Sequence, residues 1–93
     1  MKLNLDDITF IIVTYKSENI IQNCLNSLPK RSKKIIIENS NNINLEKDLK
    51  SKYDNIEVII SDNIGMGAGN NLGLKACKTN YAFVLNPDTK LHV

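Results

Sequence analysis

Apolar positions in this chain follow two rhythms, and their alternation sets the fold expectation. Ile8-Thr9-Phe10-Ile11-Ile12-Val13-Thr14 is an unbroken β-branched run of strand length, as expected of a strand buried on both faces. After it the rhythm changes. Ile20, Ile21, Cys24, Leu25 and Leu28 recur at helical spacing, Ser17 is placed to cap that helix, and Pro29 ends it. Lys33 to Glu38, built on Ile35-Ile36-Ile37, is a second buried strand. Leu45, Leu49 and Tyr53 then repeat every four residues, predicting a short amphipathic helix behind an Asn44 cap. A third strand runs from Ile56 to Ser61, a third helix follows through about Lys78, and Tyr81-Ala82-Phe83-Val84-Leu85 is a fourth strand. The order is βαβαβαβ with short connections. Right-handed crossovers then make an α/β fold in three layers, α/β/α, around a mostly parallel four-stranded sheet of Rossmann-like type.

Between the third strand and the third helix lies Asp62-Asn63-Ile64-Gly65-Met66-Gly67-Ala68-Gly69-Asn70-Asn71-Leu72-Gly73, which holds all four glycines of the chain. Glycine adds nothing to a core, so its clustering after a strand suggests a loop of unusual φ or one that approaches a ligand closely. The N–H groups and positive dipole end of the following helix would favour a phosphate there. Neither familiar phosphate signature fits. G-x-G-x-x-G fails because its third glycine falls on Asn70 or Leu72, and a P-loop lacks its Gly-Lys-Ser/Thr. A plain turn with glycine at the helix start remains the alternative.

Polar residues crowd the carboxyl ends of the strands: Thr14, Tyr15, Lys16, Glu38, Asn39, Asp62, Asn63, Asn86 and Asp88. Open α/β sheets bind ligands in the crevice beyond those ends. Asp88, behind the rigid Pro87, suits Mg²⁺ or Mn²⁺ against a diphosphate, since magnesium often takes one or two protein carboxylates and fills its shell with water and phosphate oxygens. Asn-Pro-Asp is also an ordinary turn. Glu38 is placed to accept from a base N–H or a ribose hydroxyl, or else to cap its own loop. Tyr15 either stacks on a nucleobase or packs, and Lys16 either meets a phosphate or is solvated.

Composition narrows the classes. Ninety-three residues make at most one small domain, and a formal charge of +2 gives no electrostatic case for nucleic acid. The basic run Lys30, Arg31, Lys33 and Lys34 reads as a solvated turn. Cys24 and Cys77, without a CxxC or a nearby histidine, read as buried free thiols on inward helix faces of a cytoplasmic protein, or of one at the cytoplasmic face of a membrane. The first apolar run is too short for a membrane span or signal core. His92, the sole histidine, has nothing to recommend it as a catalyst.

The ordered set Ile-Ile-Val-Thr-Tyr (11–15), Glu-Asn-Ser (38–40), Asn63-x-Gly65-x-Gly67-x-Gly69-Asn70-Asn71-x-Gly73 and Asn86-Pro87-Asp88 resembles the amino-terminal half of inverting family 2 glycosyltransferases of the GT-A fold, in particular the rhamnosyltransferase-like branch. The resemblance runs from Ile8 to Leu91. It implies that Thr14 and Tyr15 lie along the nucleobase of a nucleoside-diphosphate sugar and that Glu38 stands where an aspartate bonds base or ribose. Asn63, Gly67 and Asn70 would face nucleotide and sugar. Asn86 and Asp88 match the ends of the Asp-x-Asp metal motif, with Asp88 holding the divalent cation. Lys16 and Asn86 depart from the usual residues and bear on donor identity.

The implied reaction is attack of an acceptor hydroxyl, on a saccharide or lipid-linked acceptor of polysaccharide biosynthesis, at the anomeric carbon. The general base lies downstream in the family, beyond Val93. Residues 1–93 are therefore expected to be one truncated, donor-binding domain that is inactive alone, and its fourth strand an exposed edge that invites homo-oligomers. A non-catalytic nucleotide-binding or interaction module on the same fold is the alternative. A flavodoxin-like or response-regulator domain is disfavoured, because no acidic pair follows the first strand.

Overall fold

The computed structural model of the chain describes residues 4–91, so His92 lies outside the described residues. A short 3-10 turn, Leu5–Asp7, leads into β1 (Ile8–Thr14), α1 (Ile21–Asn26), β2 (Lys33–Glu38), α2 (Ile43–Lys52), β3 (Ile56–Ile60), α3 (Met66–Ala76) and β4 (Tyr81–Leu85). The sheet order is β3-β2-β1-β4 and all three ladders are parallel. β1 is central, and all seven of its residues are buried, which is why its run of β-branched side chains has no polar face. Chain direction across the sheet reverses at β1. From there β2 and β3 build to one side, and α3 carries the chain back to set β4 on the other.

The two faces of β1 feed two cores. Ile8, Phe10 and Ile12 pack with Ile36 under α1 and α2, through Ile21, Cys24, Leu25, Leu45 and Leu49. Ile11, Val13, Ile35 and Ile37 pack under α3, against Leu72 and Ala76. Period-two alternation within one strand thus supplies both sides of a three-layer sandwich. β4 has only β1 as a neighbour, and Tyr81, Phe83 and Val84 are 37%, 41% and 46% exposed, as an apolar sheet edge must be.

Several local expectations shift. Ser17 does not cap α1 with its hydroxyl, which bonds the Tyr15 backbone. Its carbonyl instead accepts from Ile20 and Ile21 N–H at 3.0 Å, so the helix begins at Ile21. The cap of α2 is Asn42, whose side chain accepts from Leu45 N–H at 3.0 Å, two residues before Asn44. Helix α3 starts inside the glycine stretch rather than after it. Only Gly65, at φ +89°, needs glycine's conformational freedom. Gly69 and Gly73 are buried against β1. A Cβ on Gly69 would lie 2.9 Å from Val13 Cγ2, and one on Gly73 would overlap Ile11 Cγ2. Those two glycines let the helix sit directly on the sheet.

In the basic run, Arg31 pairs with Asp6 at 2.9 Å on the surface, while Lys34 is buried in β2 rather than solvated. The cysteines also differ. Cys24 is buried under the sheet, and burial, then the nearby charge of Asp88, pushes its pKa up to about 11 from 9.0. That thiol favours the fold below about pH 9, and its contribution is lost as pH rises from 9 towards 11, because the unfolded chain ionises first. Cys77 is half-buried at the end of α3. Burial pushes its thiol up, but hydrogen bonds with Thr79 and Thr9 and the charge of Lys33 outweigh that and hold it below its ordinary value. Iodoacetamide applied to the native chain at pH 8 should therefore alkylate Cys77 well before Cys24. Peptide mapping that finds both adducts at equal rates would contradict these environments.

Candidate functional site

Loop geometry at the carboxyl ends of the strands is set from beneath by Glu38. Its side chain is completely buried, and its carboxylate accepts from Thr14 Oγ1 at 3.0 Å, Ser40 N–H at 2.9 Å, Ser40 Oγ at 2.8 Å and Asn42 N–H at 2.8 Å. Glu38 is thus neither an exposed cap nor a free acceptor for a base or ribose. Thr14 is equally buried and faces Glu38 rather than the crevice. The physical reason is the loop Asn39–Asn42, which folds back and delivers its own N–H groups to the carboxylate before any ligand can.

Beside it, Asn39 ties three strand ends together. Its N–H donates to Thr14 carbonyl at 2.7 Å, and its carbonyl accepts from Asn63 N–H at 2.6 Å. The side-chain amide donates to Gly65 carbonyl at 3.1 Å, and its oxygen accepts from the Ser61 hydroxyl. Asn39 is 2% exposed, and nothing in the sequence Glu38-Asn39-Ser40-Asn41-Asn42 distinguishes it from its polar neighbours. The surface above is conformationally unusual. Lys16, Asn41, Asn63 and Gly65 all have positive φ, of 51°, 55°, 32° and 89°. Such conformations persist where surrounding bonds impose them, and for Lys16 that bond runs from its N–H to Ser40 Oγ at 3.2 Å.

Four strand ends meet at one crevice of about 280 Å³, lined by Tyr15, Ser17, Asn39, Asn63, Gly65, Met66 and Pro87. An adjoining hollow of about 260 Å³ extends it over Lys16, Ser40, Asn41 and Asp62, and a shallower groove of about 420 Å³ continues along Glu18 and Asn42 to Asn44. Tyr15 is half exposed, with the Lys16 ammonium 5.4 Å from its ring centroid. The N-terminus of α3 opens here without a side-chain cap, and Gly67 in its first turn has open space where a Cβ would stand. Asn70 lies one turn further along, half-buried. The reversal of strand order between β1 and β4 places the crevice at the topological switch point.

Asn86-Pro87-Asp88 forms the expected turn, closed by Thr89 N–H to Asn86 carbonyl at 2.9 Å. Pro87 lines the crevice. Asp88 is exposed, and no hydrogen bond or ion pair among the described residues engages its carboxylate. Among the described residues no three His, Cys, Asp or Glu converge. One exposed carboxylate that no described residue engages fits a hard cation that draws its remaining ligands from phosphate and water.

Residues 9–92 match the family model for glycosyl transferase family 2, and the chain belongs to that family. It is 32% identical over 93 residues to the low-salt glycan biosynthesis hexosyltransferase Agl10 of Haloferax volcanii, a match covering 95% of this chain and 30% of that protein. Its fold is that of the S. aureus protein TarS. The TM-score is 0.71 over 88% of this chain and 16% of TarS, at 22% identity, and 0.74 over 90% of this chain and 28% of the TarS 1–349 structure, at 21% identity. The chain thus spans less than a third of each of these proteins. The GT-A type of α/β fold expected from the sequence is the one observed.

Proposed function

We propose that these residues form the donor-binding half of an inverting glycosyltransferase of the rhamnosyltransferase-like branch, taking a nucleoside-diphosphate sugar. The observation that carries this reading is the crevice itself. It draws one wall from each of four strand ends and brings Gly65 and Met66, at the uncapped N-terminus of α3, into one space with Pro87 of the Asn86-Pro87-Asp88 turn. Tyr15 offers a half-exposed ring to a base, and Asn63 offers an amide to the nucleotide. Gly67 and the first N–H groups of α3 receive the diphosphate, with Asn70 and Asn86 towards the sugar. Thr14 and Glu38 act from below: Glu38 fixes Ser40, whose hydroxyl accepts from Lys16 N–H.

Asp88 would hold Mg²⁺ or Mn²⁺, and such an ion supplies charge neutralisation for the departing diphosphate. The helix N-terminus adds fixed positive potential aimed at the same charge, so that less of it must be supplied by solvent. Inversion requires a hydroxyl to attack from the face opposite the diphosphate while a general base takes its proton. We assign that base and the acceptor site to sequence outside these residues, in keeping with the 30% span of the hexosyltransferase.

Calorimetric titration of the chain with UDP and with dTDP, with and without Mn²⁺, tests the reading. At least one nucleotide should bind in a metal-dependent way, and Asp88→Ala should weaken that binding on the order of tenfold or more, as expected for loss of a charge-assisted contact. Nucleotide binding that ignores both Mn²⁺ and Asp88→Ala would remove the basis for the proposal.

A further inference from the structure

At the end of the sheet opposite the donor crevice, a recess of about 170 Å³ lies between the C-terminal ends of α1 and α2 and the start of β2. Its polar lining is Lys30, Lys34 and Lys52 with Asn26, Tyr53 and Asp54. Lys34 is its unusual member. The residue is 4% exposed, and among the described residues its ammonium has one hydrogen bond, to the Lys30 carbonyl at 3.3 Å, an acceptor it shares with Asn55 Nδ2 at 3.1 Å. No ion pair among the described residues reaches it. An ammonium carries three donors, so Lys34 is a dehydrated cation with a share of one neutral acceptor.

Burying a charge so thinly partnered is costly, and proteins relieve it by pairing the ion. Asp54 does not provide that relief. Burial lowers the Lys34 pKa, and the attraction of Asp54 restores only part of it. Lys52 already leans on Asp48 at 3.2 Å at the surface, while Lys30 is exposed with no ion pair among the described residues. Tyr53 Oη donates its proton to Asn26 Oδ1 at 2.8 Å, which fixes the ring as a wall of the recess. The recess therefore offers a buried cation and a second cation with no ion pair among the described residues, with Asp54 as the carboxylate of its lining, in a space suited to one small ion.

We propose that this recess binds a small multiply charged oxyanion of the phosphate class, with Lys34 and Lys30 as its charged contacts. The site is separate from the donor crevice and does not depend on the reading given to it. An anion there would tie the loop Pro29–Ser32 to the end of α2, beside the bond from Asn55 Nδ2 to the Lys30 carbonyl.

The test is a titration of the chain with inorganic phosphate at constant ionic strength, using chloride as the reference anion and amide NMR as the readout. Phosphate should saturate, moving the signals of Lys34, Tyr53 and their neighbours, and should do so equally when UDP is present in excess with diamagnetic Mg²⁺. Lys34→Met keeps the apolar stem and removes the charge, a class of exchange that buried sites often accept. It should weaken phosphate binding on the order of tenfold. Lys30→Gln, an exposed change, should weaken it in the same direction and serves if Lys34→Met does not fold. Shifts no larger than with chloride, displacement of phosphate by UDP, or unchanged affinity in the variants would each overturn the proposal. So would binding to phosphatidylglycerol vesicles without binding to free phosphate.

Discussion

A Gly73→Val chain should melt roughly 10–20 °C below the native one, the equivalent of about 3 kcal/mol for a domain of this length. Even the first added carbon has no room, because a Cβ at Gly73 would overlap Ile11 Cγ2. Ile11 is wholly buried at the middle of β1, paired in register with Ile35 on one side and Val84 on the other. It cannot retreat without shifting both ladders, so helix α3 must lift instead. Lifting α3 opens the core formed by Val13, Ile35, Ile37 and Leu72 and separates Gly65 from Asn39. Gly67→Ala is the matched control. It meets nothing within 4 Å and should leave stability within about 1 kcal/mol of native, with the sign favouring alanine in a helix. Thermal unfolding followed by circular dichroism measures both. Equal melting temperatures for the two variants would mean that α3 does not bear on β1 as described.

The same glycines mark the boundary between what the sequence reveals and what it hides. β1, β2 and β4 are visible as runs of β-branched and aromatic residues, and parallel topology follows once helices alternate with strands, since crossover handedness leaves few arrangements. Gly69 and Gly73 stand four apart and so share a helix face. Set among Gly65 and Gly67 they look like part of a loop, and only the distance to Val13 and Ile11 separates packing glycines from an exposed one. Capping shows the same limit. Asn41, Asn42 and Asn44 are chemically alike, and the choice of Asn42 depends on where Glu38 draws the chain. The convergence of polar strand ends was legible because strand direction alone determines it. The depth of each residue within that edge was not, because it depends on hydrogen bonds between residues of one loop. Thr14 and Glu38 accordingly lie beneath the surface that Tyr15 and Asn63 form, and Asn39 joins it to α3.

Because the upper surface of the crevice hangs from one buried carboxylate, Glu38→Ala should damage stability and binding together. The substitution leaves Thr14 Oγ1, Ser40 N–H, Ser40 Oγ and Asn42 N–H without their acceptor. Each buried group so orphaned costs about 1–3 kcal/mol, but water can enter the space of the lost side chain and the loop can relax, so the losses do not add. A net loss of about 3 kcal/mol is expected, again roughly 10–20 °C in melting temperature. Glu38→Gln retains the shape and one acceptor oxygen but presents an amide where Ser40 and Asn42 N–H point, and should fall between the two. The binding effect has its own route. Ser40 Oγ, held by Glu38, accepts from Lys16 N–H and helps keep that residue at positive φ beside Tyr15. Once Ser40 is released, Lys16 loses that restraint, and the Tyr15 ring loses its fixed place at the mouth. Nucleotide titration at a temperature where both variants remain folded should therefore show weaker binding for Glu38→Ala than for native chain, although Glu38 itself touches no solvent. A variant that melts early yet binds with native affinity would locate the role of Glu38 in folding alone. One that melts as the native chain does would deny that the carboxylate organises the loop.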